Sequence, residues 1–83
     1  MSVLTTHELK TWPEYFSAVL DGRKGFELRK DDRGFAVGDR LLLKEWNPDT
    51  KVYTGRTLEV EVTYLIKGFT GLQDGYVIMG IYR

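Results

Sequence analysis

The feature that most constrains this chain is a strict alternation of apolar and polar side chains between residues 57 and 64, within a predicted strand over residues 57–66. The apolar positions there are Leu58, Val60, Val62 and Tyr64, with threonines and glutamates between them. A period of two is the pattern of a β-strand with one buried face. Because the whole chain has only 83 residues, this strand must pair with nearby segments. A small sheet protein is therefore predicted.

Four further segments have strand character, namely residues 3–10, 25–30, 40–46 and 76–82. The connections between them are rich in Gly, Asp, Asn and Pro, and most are too short for a helical crossover. Antiparallel hairpins are therefore expected to dominate. Residues 47–50 carry strong turn chemistry, and residues 53–55 are expected to continue that hairpin loop.

One short helix is predicted directly after the first strand. Thr11 or Trp12 is placed to cap it, and Pro13 takes an early position where its missing N–H costs nothing. Gly22 can end the helix by adopting the left-handed conformation. The apolar helical face comprises Tyr15, Phe16, Val19 and Leu20.

Five strands and one helix after the first strand predict an α+β, mainly β fold. Five strands left as an open sheet would expose costly edges, so the sheet is expected to curl into a small closed or partly open barrel. The length is sufficient for one domain and too short for two, so residues 1–83 are treated as a single domain.

Composition excludes several classes of function. The chain has no cysteine, so disulfides, cysteine–zinc sites and thiol nucleophiles are ruled out. His7 is the single histidine; we predict no metal site and no cofactor. No leader or membrane-spanning stretch is visible, which favours a cytoplasmic protein. Twelve basic residues balance twelve acidic ones, so no broad electrostatic attraction to nucleic acid is expected.

A motif of chemical interest is a glycine, a lysine two residues on, a glutamate three further and an arginine two further. These residues are Gly22, Lys24, Glu27 and Arg29. The motif resembles the signature of the ASCH family of PUA-like domains. The resemblance implies a small PUA-like β-barrel associated with RNA.

The similarity extends along nearly the whole chain and is closest to a short bacterial and phage subgroup of ASCH proteins with no assigned function. The residues that carry it, beyond the motif, are His7, Leu9, Lys10, Phe16, Asp32-Arg33, Val37-Gly38-Asp39, Glu45-Trp46 and Tyr53-Thr54-Gly55. Because one fold hosts many functions, this similarity bears on the fold more than on the activity.

The residue types alone also indicate what the motif could bind. In a strand, Glu27 and Arg29 point the same way, and Lys24 at the entrance to the strand can approach that face. Phe26 and Leu28 are predicted to face the core, and the charged pair to face outwards. Arg29 would offer a planar fork to a phosphate or a base edge, and Lys24 a point charge. The alternative is a surface ion-pair ladder worth about 0–1 kcal/mol.

Other residues are candidates for the same cleft. His7 and Lys10 lie on the first strand, near the motif in the resembling fold, although a hydrogen-bonded histidine and an exposed lysine are the plainer alternatives. Trp46 and Tyr53 are candidate stacking platforms for a base. Trp12 is a third candidate platform, for which a place in the core is the favoured alternative.

Three functions remain open. The first is a monomeric, non-catalytic module that binds RNA or a nucleotide-like ligand. The second is a small hydrolase acting on modified nucleosides or RNA, in which the resemblance makes Lys24 the key group. Related amidohydrolases carry a threonine at the position of Glu27, and their late acidic residue has only the candidates Glu59, Glu61 and Asp74 here. The third is a protein-interaction domain, such as one borne by a phage or mobile element.

Overall fold

The computed structural model describes residues 4–83 and consists of five strands and one short helix. The predicted first strand begins at Val3, which lies outside the described residues. The mainly β fold, with its helix after the first strand, is confirmed. The elements are β1 (Thr6–Thr11), α1 (Pro13–Leu20), β2 (Phe26–Lys30), β3 (Arg40–Asn47), β4 (Val52–Ile66) and β5 (Tyr76–Tyr82).

The five strands form one sheet in the order β1-β3-β4-β5-β2, curled into a half-barrel. Three of the four strand pairings are antiparallel, as expected from the short connections. The pairing of β1 with β3 is parallel. A parallel pair needs a long crossover, and here the crossover contains both α1 and β2. This parallel pairing was not anticipated from the sequence.

Helix α1 begins after Trp12, whose extended backbone (φ −67°, ψ 152°) places Pro13 in the first turn. The helix is followed by Gly22, which has a φ of +86°. Only Phe16 and Val19 of the expected apolar face are buried; Tyr15 and Leu20 are exposed. No helix among residues 4–83 is long and apolar enough to cross a membrane.

The core lies on the concave side of the sheet. Its buried apolar side chains are Leu9, Phe16, Val19, Phe35, Leu41, Leu43, Val60, Val62, Val77 and Met79. The alternating residues of β4 contribute Val60 and Val62, both with no exposed surface. The alternation from which the sheet was predicted therefore marks the inner face as far as Val62, whereas Tyr64, beyond the register shift that follows Val62, is 66% exposed.

The predicted orientation of β2 is wrong. Phe26 and Leu28 are 48% and 50% exposed, whereas Glu27 is only 3% exposed. The reason is the register with β5, which pairs Glu27 with Met79 and Arg29 with Val77. Because Met79 and Val77 are fully buried, their partners share the concave face of the sheet.

The hairpin loop between β3 and β4 is shorter than predicted, because Tyr53, Thr54 and Gly55 all belong to β4. Lys51, at the end of the turn, has a positive φ of 59°. Gly55 has a φ of +94° and lies opposite the register shift between Lys44 and Trp46. A glycine in this conformation is typical of a bulge, which lets the strand continue where the sequence suggested a loop.

The two edge strands, β1 and β2, are joined by side chains. Arg29 Nη2 donates to the carbonyl oxygen of Lys10 at 3.0 Å, and Arg33 Nη1 donates to that of Glu8 at 2.6 Å. We call this line of contact between β1 and β2 the seam. Arginines thus satisfy two carbonyl groups that an open sheet edge would leave to solvent.

Candidate ligand-binding groove

A groove of ≈ 580 Å³ opens at one end of the seam, between β1, the start of α1 and β2. Its size is within the range of small-molecule sites. Polar and aromatic side chains line it together. The lining residues are Lys10, Thr11, Trp12, Tyr15, Lys24, Phe26, Glu27, Leu28 and Arg29.

Glu27 is the buried carboxylate of the groove. Its Oε2 accepts a hydrogen bond from Arg29 Nε at 3.2 Å, and its Oε1 lies 3.4 Å from Lys24 Nζ. Oε1 is buried and has no hydrogen-bond partner among residues 4–83. A buried polar atom left without a hydrogen bond costs about 1–3 kcal/mol, and more when charged. Such an atom therefore calls for an explanation beyond stability.

Arg29 is more constrained than its sequence position suggested. Its Nε donates to Glu27, while its Nη2 donates to the carbonyl of Lys10 and to Thr11 Oγ1 at 3.3 Å. The hydrogen bonds of Arg29 within residues 4–83 do not use Nη1. Much of the guanidinium fork is thus used to hold the seam, and Nη1 is the part that can meet a ligand.

Lys24 lies over Glu27 at the groove. Its ammonium donates to the carbonyl oxygen of Phe26 at 2.9 Å. The same Nζ lies 5.0 Å from the ring centroid of Phe26 and 5.8 Å from that of Tyr15, within the range of cation–π contacts. The structure therefore does bring Lys24, Glu27 and Arg29 together, as the motif predicted.

Aromatic rings form the exposed rim of the groove. Trp12, Tyr15 and Phe26 are between 46% and 49% exposed. The favoured expectation that Trp12 belongs to the core is wrong, because its side chain is 46% exposed and lines the groove. Tyr15 and Phe26 were not identified as site residues. Phe26 could have been identified as a groove residue only if Glu27, rather than Phe26, had been assigned to the inner face of β2.

Lys10 lines the groove, but the two aromatic residues proposed with it lie beside the groove and do not line it. The ammonium of Lys10 is 4.1 Å from the ring centroid of Trp46. Trp46 pairs across the β3–β4 hairpin with Tyr53, which is 49% exposed. The Lys44 ammonium lies 4.8 Å from the Tyr53 ring. Trp46 and Tyr53 therefore form a separate aromatic surface that Lys10 joins to the groove.

His7 is placed elsewhere in the molecule, contrary to its proposed role in lining the cleft. It is 7% exposed, its ring meets that of Phe35 edge to face, and its Nε2 is 2.8 Å from Asp39 Oδ2. Because an ionised carboxylate only accepts, His7 Nε2 is the donor. His7 thus has the plainer role of a hydrogen-bonded interior histidine.

Asp39 also accepts hydrogen bonds from the backbone N–H groups of Thr5 and Ala36. Burial raises the pKa of Asp39, but the hydrogen bonds from His7, Thr5 and Ala36 outweigh it and leave this pKa below its ordinary value. Asp39 is therefore held ionised at the end of the barrel where β1 and β3 begin.

A third buried carboxylate, Glu45, was not identified from the sequence as a polar interior residue. It is 5% exposed, accepts from Thr54 Oγ1 at 2.7 Å and lies 3.6 Å from Arg56 Nε. In the register of β1 and β3 it is the partner of Thr11, one of the groove residues. Within residues 4–83, no group of three or more His, Asp or Glu side chains is placed to hold a metal ion.

Residues 6–81 of the chain match the family model described as "Domain of unknown function (DUF3850)". The chain belongs to the DUF3850 family. It is also 41% identical over 73 residues to the "Uncharacterized 12.9 kDa protein in GpA 3'region" of Escherichia phage P2. That alignment covers 88% of this chain and 64% of the phage protein. This DUF3850 domain therefore spans less than two thirds of that relative.

All nine residues that line the groove fall within the range matched by the DUF3850 model. The matched range also includes the residues that form the seam. These are the two arginines, Arg29 and Arg33, and the residues whose carbonyl groups they contact, Lys10 and Glu8. The groove is consequently part of the DUF3850 segment of this chain.

Proposed function

We propose that this DUF3850 domain binds RNA or a nucleotide-like ligand in the groove at the seam. The observation that carries the proposal is the combination of exposed aromatic rings with a cluster of charged groups. Trp12, Tyr15 and Phe26 surround Lys24, directly beside the buried pair of Glu27 and Arg29. A ligand that has a flat ring and a negatively charged group would contact both components.

The aromatic rim supports stacking of a base. Proteins that bind single-stranded nucleic acid place unstacked bases on aromatic side chains, and each such stack is worth about 1–3 kcal/mol. About half of each rim side chain is exposed. A ligand base would therefore cover apolar surface that now faces water.

The cations at the groove support contact with a phosphate. Lys24 and Lys10 provide ammonium groups, and Arg29 retains the Nη1 side of its guanidinium. The net charge of the chain is zero, so these few groups, rather than a broad basic surface, would supply the attraction. We expect modest affinity that depends on the fit of one or a few nucleotides.

The resemblance of the motif to the ASCH signature supports the same assignment. Gly22, Lys24, Glu27 and Arg29 are the residues of that signature, and three of them line the groove. We further propose that the curled five-stranded sheet is a PUA-like barrel. Both proposals lead to RNA before other ligands, because ASCH and PUA-like domains are associated with RNA.

Fluorescence anisotropy with a labelled short single-stranded RNA, competed by free nucleotides, tests the proposal. We expect Tyr15→Ala to weaken binding by about fivefold or more, since a lost stack is worth about 1–3 kcal/mol. Lys24→Ala should weaken it too. Matched controls are Phe69→Ala and Lys67→Ala, whose side chains are exposed outside the groove.

The controls should bind like the wild type. Binding that ignores both Tyr15→Ala and Lys24→Ala would contradict the groove as the site. Absence of binding to any RNA or nucleotide would contradict the function itself.

A hydrolase acting on modified nucleosides is a second candidate, favoured by the 3.4 Å contact between Lys24 and Glu27. An ammonium and a carboxylate at that distance can share a proton between them during catalysis. The test is turnover of acylated nucleosides by the wild type and by Lys24→Ala. Turnover that Lys24→Ala abolishes would favour the enzyme, and turnover that survives it would contradict this role of Lys24.

A further inference from the structure

We infer that the groove selects a base that carries an exocyclic amine, at the position of the cytosine or adenine amine, and that Glu27 determines this selectivity. The inference rests on the proposed function, because it names the class of base that the same groove accepts. It depends on one atom, Glu27 Oε1, and on the groups around it.

Glu27 Oε1 is an acceptor that the protein itself leaves unused. The other oxygen, Oε2, already accepts from Arg29 Nε. Oε1 is buried and accepts no hydrogen bond within residues 4–83, and the Glu27 side chain is 96% buried, since 4% of it is exposed. An ionised carboxylate offers only acceptor positions. Its natural complement is an N–H group from the ligand.

Lys24 is the group that a ligand must displace to reach Oε1. Its Nζ is 3.4 Å from Oε1, but its hydrogen bond goes to the carbonyl of Phe26, two residues away on an exposed part of the chain. That carbonyl can accept from water instead, so the main loss on moving the lysine is its 3.4 Å ion pair with Glu27, which the ligand amine replaces with its own hydrogen bond to Oε1. The released ammonium then becomes available to a phosphate at the mouth of the groove.

The aromatic rim sets the plane in which the donor must lie. Tyr15 and Phe26 are about half exposed whereas Glu27 is buried in the same groove, so a ring stacked on either aromatic would turn an edge towards Glu27 in the inferred complex. Cytosine and adenine carry an amine on that edge. Uracil and hypoxanthine carry a carbonyl oxygen at the corresponding position, which would meet a carboxylate oxygen without a proton between them.

The experiment compares nucleotides that differ only at this group. Isothermal titration measures binding of cytidine monophosphate, uridine monophosphate and N4,N4-dimethylcytidine monophosphate, with adenosine and inosine monophosphates as a second pair. We expect the amine of cytidine to give at least about tenfold tighter binding than uridine, because hydrogen bonds to charged groups are worth that much. Dimethylation, which removes both N–H donors and keeps the ring, should abolish the advantage.

Glu27→Gln keeps the shape of the side chain and removes its charge. We expect it to reduce the cytidine-to-uridine ratio to below about threefold, since the acceptor is no longer charged. Lys24→Ala should weaken both nucleotides through the lost phosphate contact and keep or raise their ratio, because it removes the ammonium that the amine must displace. Thermal unfolding of each variant shows whether it is folded, and the Lys24→Ala ratio tests the inference even if Glu27→Gln unfolds.

The outcomes separate the inference from the function on which it rests. Preference for the amine-bearing nucleotides that Glu27→Gln reduces would support the inference. Equal binding of cytidine and uridine monophosphates, or tighter binding of uridine, would overturn it and leave the proposed function standing. If none of the nucleotides and no RNA bound, both would be overturned.

Discussion

At the scale of single residues, Arg29 connects the groove to the stability of the fold. Its Nε donates to the buried Glu27 carboxylate, and its Nη2 donates across the seam to the carbonyl of Lys10. Removing the guanidinium would leave both acceptors without this donor. If an Arg29 variant loses binding, the stability of that variant must therefore be measured as well.

We expect Arg29→Ala to lower the free energy of unfolding by about 3 kcal/mol, because breaking one side of a buried ion pair leaves an uncompensated charge. Urea denaturation followed by circular dichroism measures this. The matched control is Arg33→Ala, which loses a hydrogen bond to Glu8 on the exposed part of the seam and should cost about 0.5–1.5 kcal/mol. Equal, small losses in the two variants would contradict the role given to Arg29.

At the scale of elements, β2 shows what alternation can and cannot reveal. The period of two correctly placed Glu27 and Arg29 on one face and Phe26 and Leu28 on the other. It could not tell which face is buried, and apolar residues were assigned to the core by default. The inward direction is set by pairing with β5, a contact between segments about fifty residues apart that no local pattern encodes.

Two leucines test this orientation directly. Leu43 in β3 has no exposed surface, whereas Leu28 in β2 is 50% exposed. We expect Leu43→Ala to lower the free energy of unfolding by about 2–5 kcal/mol, the range for a buried leucine. Leu28→Ala should change it by roughly 0.5 kcal/mol or less. A Leu28→Ala loss as large as that of Leu43→Ala would show that β2 faces the other way.

At the scale of the whole molecule, the groove exists because the sheet curls until side chains join its two edge strands, β1 and β2. The sequence supplied Lys24, Glu27 and Arg29 through their spacing, and Lys10 through the family resemblance. It named Trp12 as a candidate but favoured the core for it, and it did not supply Tyr15; both reach the groove because α1 starts where β1 ends at the seam. His7 was misplaced for a related reason, since Asp39, its partner, lies 32 residues away in sequence.

The contact between His7 and Asp39 should make the stability of the fold depend on pH. Asp39 lies just before β3, at the end opposite the turn between β3 and β4. Asp39 has a pKa held below the ordinary value of 3.8, mainly through its hydrogen bonds with His7 and the backbone against the opposing effect of burial. A lowered pKa means that the ionised carboxylate stabilises the folded state. This stabilisation is complete above about pH 5 and is lost as the pH falls through the folded-state pKa.

We therefore expect the free energy of unfolding of the wild type to fall more steeply between about pH 5 and pH 2 than that of Asp39→Asn, which has no carboxylate to protonate. Urea denaturation at a series of pH values measures the two slopes. Asp21→Asn allows the buried Asp39 to be compared with an exposed aspartate. The pKa of Asp21 is also lowered, in this case by contacts with Arg23. Parallel curves for the wild type and Asp39→Asn would contradict the ionised Asp39 described above.

The binding groove itself is tested most directly by tryptophan fluorescence, because the chain has two tryptophans and only Trp12 lines the groove. Trp46→Phe leaves Trp12 as the reporter, and Trp12→Phe leaves Trp46. On titration with a short single-stranded RNA, we expect strong quenching in the protein that retains Trp12, since a base stacks beside its ring. A response confined to the protein that retains Trp46, or no response in either, would contradict the account.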